Sequence, residues 1–358
     1  MNGCTVEGPT EQRDERNLRA RARSAAAKIG LALGAVLATL IFVELVLSAL
    51  FEPILKVWQV REIFQLDEEL IYSLKPGQER IAESEEFVEH VTTNRHGLRD
   101  DEIRTRDSFE KRIIVLGDSM IFGHGVNDDQ TFPNQLEAIY RNEHRAVDVI
   151  NAGVKGYGTD SAYKFFTARL QPLSLQPDLV IFSIYHNDLY DNIGQPLYTI
   201  ENGSLAPLDP TRNWIYLLGT IEQKTPDFIR NRILYGIVLS RFVGRDIYSV
   251  LPDKNRQELY EWAAHKAFLE IADLRRRGRR QGFRVMVLCV PYRDGPANAY
   301  AWLEPLRKLG IWLFDPSQDP VWKAEKERWF FGKDYHMTPA GNRLFAERVH
   351  EAIAREEF

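Results

Sequence analysis

The sequence predicts an α/β domain built on a parallel sheet and preceded by one apolar helix. Three observations carry this. Short apolar runs at 112–117, 146–151, 178–185 and 283–290 alternate with stretches of helical spacing, the pattern of strands joined by crossover helices. The runs are apolar throughout, so both faces of the sheet are covered. The third is an apolar run at 29–51 that interrupts an otherwise polar N-terminus.

The 358 residues are 44% hydrophobic and 27% charged, ordinary globular values that exclude a disordered or multi-pass chain. With 46 Lys and Arg against 51 Asp and Glu, the formal charge is −5, which disfavours a nucleic-acid partner. Two cysteines, Cys4 and Cys289, exclude a disulfide scaffold and a cysteine-built zinc site.

The elements follow in chain order. Residues 1–28 form a basic tail with Arg13, Arg16, Arg19, Arg21, Arg23 and Lys28. Residues 29–51 contain one charge, Glu44, and span roughly 34 Å as a helix, enough to cross a bilayer. Only Lys56 and Arg61 are basic in the next 20 residues, so the tail is expected in the cytoplasm and residues 52–358 outside. A cleaved signal peptide is the rival, but no A-x-A site follows the run. Cys4 and Cys289 then lie on opposite sides of the membrane.

Residues 52–110 read as a leader, with a short strand and turn expected within 91–100. The main domain is expected from 111 to 358. Strands at 112–117, 146–151, 178–185 and 283–290, and a shorter one at 310–314, alternate with helices at 131–142, 160–171, 253–280 and 339–355. Pro339 suits the first turn of the last helix. Residues 189–252 are an insertion, with Trp214, Tyr216, Leu217 and Leu218 close together as a satellite core or a lid.

Chemistry concentrates at the carboxyl ends of the strands, where open α/β sheets place their sites. Gly117, Asp118 and Ser119 follow the first strand. Asn151-Ala-Gly-Val-Lys-Gly-Tyr-Gly158 follows the second, Tyr185-His-Asn-Asp188 the third, and Asp334-Tyr-His336 precedes the last helix. Ser119 is the candidate nucleophile; a serine hydroxyl needs a base, and His336 is the candidate. Asp334 can orient the imidazole and stabilise the imidazolium. Backbone N–H of Ser119 and Gly156 and the Asn187 amide are candidate oxyanion donors.

The ordered set Ser119 in GDS, Gly156 in NAGVKGYG, Asn187 in HND and His336 in DYHMTPAGN resembles the SGNH hydrolase superfamily, the GDSL-type esterases, over roughly 112–354. The resemblance implies a flavodoxin-like three-layer α/β/α fold and acyl-ester chemistry without a metal or other cofactor. It points to a membrane-anchored subgroup acting on an envelope glycan, lipid or small ester, with acetyl among the acyl groups. No G-x-S-x-G surrounds Ser119, which separates it from ordinary α/β-hydrolases. Two departures stand out. Tyr185 and His186 occupy the place of the usual Gly-x before Asn-Asp, and Asp-x-His replaces the common Asp-x-x-His. The shorter spacing is similar to that of envelope polysaccharide O-acetyltransferases, so transfer to a sugar hydroxyl is the alternative to hydrolysis. A silent binding module on the same fold is a third reading.

Each residue also has a plainer reading. Ser119 could be a helix N-cap, Asn187 a cap for the next helix, Gly156 a turn glycine and His336 a surface histidine. Asp118 reads as structural, bonding to backbone near the nucleophile. His124 and His186 read as pocket-lining. A metal site from Asp118, Asp188, His186 and His336 lacks the spacing of a ligand set. The arginine run at 274–280 suits a helix C-terminus, with an anionic polymer or lipid as the other reading.

Overall fold

A computed structural model describes residues 9–50, 63–226, 253–294 and 299–356. The sequence readings at Cys4, Lys56 and Arg61 and in 227–252 of the insertion lie outside these residues.

Helix α1 (Pro9–Leu50) falls in the first of two compact units. Within it, Arg21–Leu47 has a mean hydropathy of 2.4 and is long and apolar enough to cross a membrane. Its large side chains point outward, Leu31 being 78% exposed and Phe42 67%.

The second unit carries four β-hairpin strands first: β1 (Phe64–Asp67) with β2 (Ile71–Leu74), and β3 (Glu79–Glu83) with β4 (Val88–Thr92), both antiparallel. The main sheet comprises β5 (Lys111–Gly117), β6 (Val147–Gly153), β7 (Leu179–Ile184), β10 (Arg284–Cys289) and β11 (Trp312–Phe314). A further hairpin, β8 (Tyr198–Glu201) and β9 (Ser204–Pro207), follows β7. The helices are α2 (Ser119–Phe122), α3 (Phe132–Asn142), α4 (Thr159–Phe165), α5 (Asp188–Gly194), α6 (Trp214–Lys224), α7 (Asp253–Gln281), α8 (Glu304–Lys308), α9 (Val321–Ala324), α10 (Lys326–Trp329) and α11 (Pro339–Arg355).

The sheet is all parallel in the order β11-β10-β7-β5-β6. Counted along its own strands this is the flavodoxin-like order, with the reversal between β5 and β7. Alternation along each strand feeds two cores. Ile113 and Val115 of β5, Leu179 and Ile181 of β7, and Met286 and Leu288 of β10 pack with Leu136 of α3 and Phe345 and Val349 of α11. The intervening residues Ile114, Leu116, Val180, Phe182, Val285 and Val287 pack with Phe165 of α4 and Ile271 and Leu274 of α7. Three layers result, as the sequence predicts.

Three elements differ from the sequence reading. β6 runs two residues further, to Gly153, because Ala152 and Gly153 still pair with Leu116 and Gly117 of β5. The helix expected over 160–171 is α4 followed by a π-turn at Phe166–Leu170. The stretch at 63–110 is more than a strand and a turn: Ile63, Leu70, Ile71, Leu74, Val91 and Leu98 are all buried in the second of the two cores.

Candidate active site

Ser119 opens α2 immediately beyond β5. Asp118 caps that helix, its Oδ1 accepting the Met120 N–H at 2.9 Å. The Asp118 carboxyl is buried, and its second oxygen has no hydrogen-bond partner among the described residues. Burial pushes it up to about 6, against the Met120 hydrogen bond and the nearby His336. β6 comes so close behind α2 that a Cβ on Gly153 would lie 2.3 Å from the Phe122 nitrogen.

His336 sits in the loop before α11. Its Nε2 lies 2.7 Å from Ser119 Oγ and its Nδ1 2.6 Å from Asp334 Oδ1. Tyr335, between Asp334 and His336, has φ +70°, a left-handed residue that turns the chain. The loop is fixed from outside: the Glu86 carboxylate accepts backbone N–H groups of Gly332, Lys333 and Asp334 at 2.8–3.0 Å. Burial would raise the Asp334 carboxyl, but contacts with His124 and His336 outweigh it and hold it far below the usual range.

Gly156 lies beyond β6 with φ +78°, and a Cβ there would stand 2.7 Å from the Tyr72 hydroxyl. That hydroxyl donates to the Lys155 carbonyl at 3.0 Å, so the first hairpin shapes this loop. Asn187 lies beyond β7. It precedes α5 without capping it through its side chain; its Nδ2 donates to Asp191 Oδ2 at 2.9 Å. That bond engages one of its two amide hydrogens. Ser119 and Asn187 therefore flank the point where strand order reverses.

The sequence reads His124 as pocket-lining and singles out none of Lys155, Glu86 and Glu89. His124 lies 3.4 Å from Asp334 Oδ2, and its ring meets His336 edge-on at 4.7 Å. Lys155 and Glu89 lie behind it. Lys155 stands inside the NAGVKGYG block, the one signal that could have flagged it. Glu86 and Glu89 lie in hairpin sequence with no motif. His186 meets Tyr185 edge-on at 4.3 Å and lies tilted against Tyr292 at 5.3 Å. His124, Asp334 and His336 bring ligand atoms within 4.8 Å of one another. The Lys155 ammonium against His124 makes that corner a poor cradle for a cation.

A hydroxyl, an imidazole and a carboxylate in hydrogen-bonded series, at the switch point of a flavodoxin-like sheet, define the class: a serine hydrolase of carboxylic esters. The chain belongs to the GDSL-like lipase/acylhydrolase family, whose profile matches residues 115–344. Comparison with curated proteins gives no match. Among solved structures it is similar to a lipase/acylhydrolase from Enterococcus faecalis (14% identity, 69% of this chain and 97% of that one, TM-score 0.37). It is also similar to an acetyl xylan esterase (15%, 68% and 99%, TM-score 0.38) and to a two-domain esterase active on acetylated mannans (14%, 68% and 49%, TM-score 0.39).

Proposed function

We propose that the protein is a membrane-anchored esterase that removes acyl groups, acetyl among them, from an envelope glycan, lipid or small ester. The supporting observation is the series Ser119 Oγ, His336 Nε2, His336 Nδ1, Asp334 Oδ1, with steps of 2.7 and 2.6 Å. His336 takes the Ser119 proton as Oγ attacks the ester carbonyl. Asp334 accepts from Nδ1–H, holds the tautomer and stabilises the imidazolium. N–H groups of Ser119 and Gly156 and the second Asn187 amide hydrogen take the oxyanion. His336 returns its proton to the leaving alkoxide, giving free alcohol and acyl-Ser119. Water then loses a proton to His336, attacks the acyl carbon and releases the carboxylic acid as Oγ regains its proton. α1 holds the catalytic unit at a bilayer, and the basic tail puts that unit on the outer side.

Acetate release from a chromogenic acetyl ester by the full chain in detergent tests this. Ser119→Ala and His336→Ala should each lose about 10³-fold or more in kcat. Turnover unchanged in Ser119→Ala would refute the nucleophile. A folded wild type that labels with a fluorophosphonate but releases no acetate would favour transfer to a sugar hydroxyl over hydrolysis. Neither labelling nor turnover would leave a silent module.

A further inference from the structure

Asp334 has two carboxylate oxygens, and only Oδ1 serves His336. Oδ2 faces His124 Nε2 at 3.4 Å. The His124 ring is itself clamped: Phe87 meets it edge-on at 5.2 Å on one side and His336 at 4.7 Å on the other. Its far nitrogen, Nδ1, is 2.5 Å from Lys155 Nζ. Glu89 Oε1 stands 3.3 Å from the same nitrogen, so Nδ1 accepts from Lys155 in the neutral ring or donates to Glu89 in the imidazolium; in both forms Nε2 carries a hydrogen toward Asp334. Lys155 also donates to Glu89 Oε1 at 2.8 Å. Glu89 is fully buried, and its other oxygen accepts the Gly125 N–H at 2.7 Å, beside His124 in sequence.

We propose that His124 is a positioning residue that fixes Asp334 through its second oxygen, with its ring held from behind by Lys155 and Glu89, so that β4 supplies the outermost link of the active site. The inference rests on the Ser119–His336–Asp334 reading above. A carboxylate held at one oxygen can swing about its Cβ–Cγ bond; held at both, it keeps Nδ1 of His336 in line while the proton moves.

The test uses the full chain in detergent, with kcat and KM on the chromogenic acetyl ester and the rate of fluorophosphonate labelling of Ser119. His124→Phe fills the ring space but has no donor. Gln at 124 can place an amide N–H near the position of Nε2. His124→Phe should lower kcat and labelling roughly 10- to 100-fold, short of the ~10⁴-fold loss that follows damage to a triad carboxylate, with KM within about twofold. His124→Gln should recover most of that loss. Glu89→Gln should also lower kcat, and the His124→Phe/Glu89→Gln pair should be no worse than His124→Phe alone, because both act through one contact. Equal losses in the Phe and Gln variants, a loss confined to KM, or multiplying losses in the double variant would overturn the proposal. Should Glu89→Gln not fold, the two His124 variants decide it alone. Turnover surviving in Ser119→Ala would instead overturn the esterase reading itself, a separate outcome.

Discussion

Tyr335 shows how one residue's backbone sets the chemistry of its neighbours. At φ +70° it turns the chain between the carboxylate and the imidazole. A left-handed conformation costs a non-glycine residue about 1–2 kcal/mol, and a branched Cβ pays more for it. Tyr335 is half-exposed, and its ring lies 5.1 Å from the Arg293 guanidinium. Tyr335→Gly should therefore keep kcat and stay within about 1 kcal/mol of wild type in a urea melt, since strain relief and unfolded-chain entropy oppose each other. Tyr335→Val should destabilise and lower kcat together. Asp118 gives a second case at this scale. Asp118→Ala should cost about 1 kcal/mol through the lost cap on Met120, whereas Asp118→Asn keeps the accepting oxygen and the fold. Equal melts for the Ala and Asn variants would contradict the cap.

Elements are tied together by a buried arginine. Arg99 is fully buried; Nε pairs with Asp128 Oδ1 at 2.7 Å, and its other nitrogens donate to the carbonyls of His90, Phe122, Gly123 and Val126. It thus joins β4 to the loop that carries His124. Removing one partner of a buried pair costs about 3–5 kcal/mol, so Arg99→Met should lower Tm by roughly 10 °C in a calorimetric scan. A shift under a few degrees would mean that the carbonyls find other donors. None of this is visible in the sequence, where Arg99 stands in a run of mixed charge. The main-sheet strands were legible because each is apolar on both faces, and α11 because Phe345, Ala346, Val349, Ala352 and Ile353 follow helical spacing. The hairpin strands of the leader are four or five residues long and partly exposed. β3, for instance, buries only Ala82 and alternates too weakly to announce itself. Ser119, His336 and Asp334 were legible because their blocks sit at element ends; Glu89 and Lys155 were not, because a buried ion pair has no sequence period.

At the scale of the whole molecule, the buried charges set how stability responds to pH. Glu89 is pushed up by burial, yet the His124 hydrogen bond and the charges of Lys155 and Arg99 hold it far below the ordinary carboxylate range, as the two histidines hold Asp334. A carboxyl depressed on folding adds stability above its unfolded value, about 4, and loses it as pH falls through the folded value. Asp118 has the opposite sign. Its folded value of about 6 favours the protonated form, so its contribution is whole below about 4 and is lost as pH rises through 6. For these three groups the two limbs meet near pH 4. Urea melts across the pH range can separate them. Asp118→Asn should flatten the decline between about pH 4 and 6 and leave the acid limb alone, while Asp334→Asn and Glu89→Gln should flatten the fall below about pH 4. Parallel curves for all three variants and wild type would show that other groups govern the response. Because Glu89 belongs to β4 and Asp334 to the loop before α11, a shared acid limb would also mean that the leader and the sheet domain titrate and unfold as one cooperative unit.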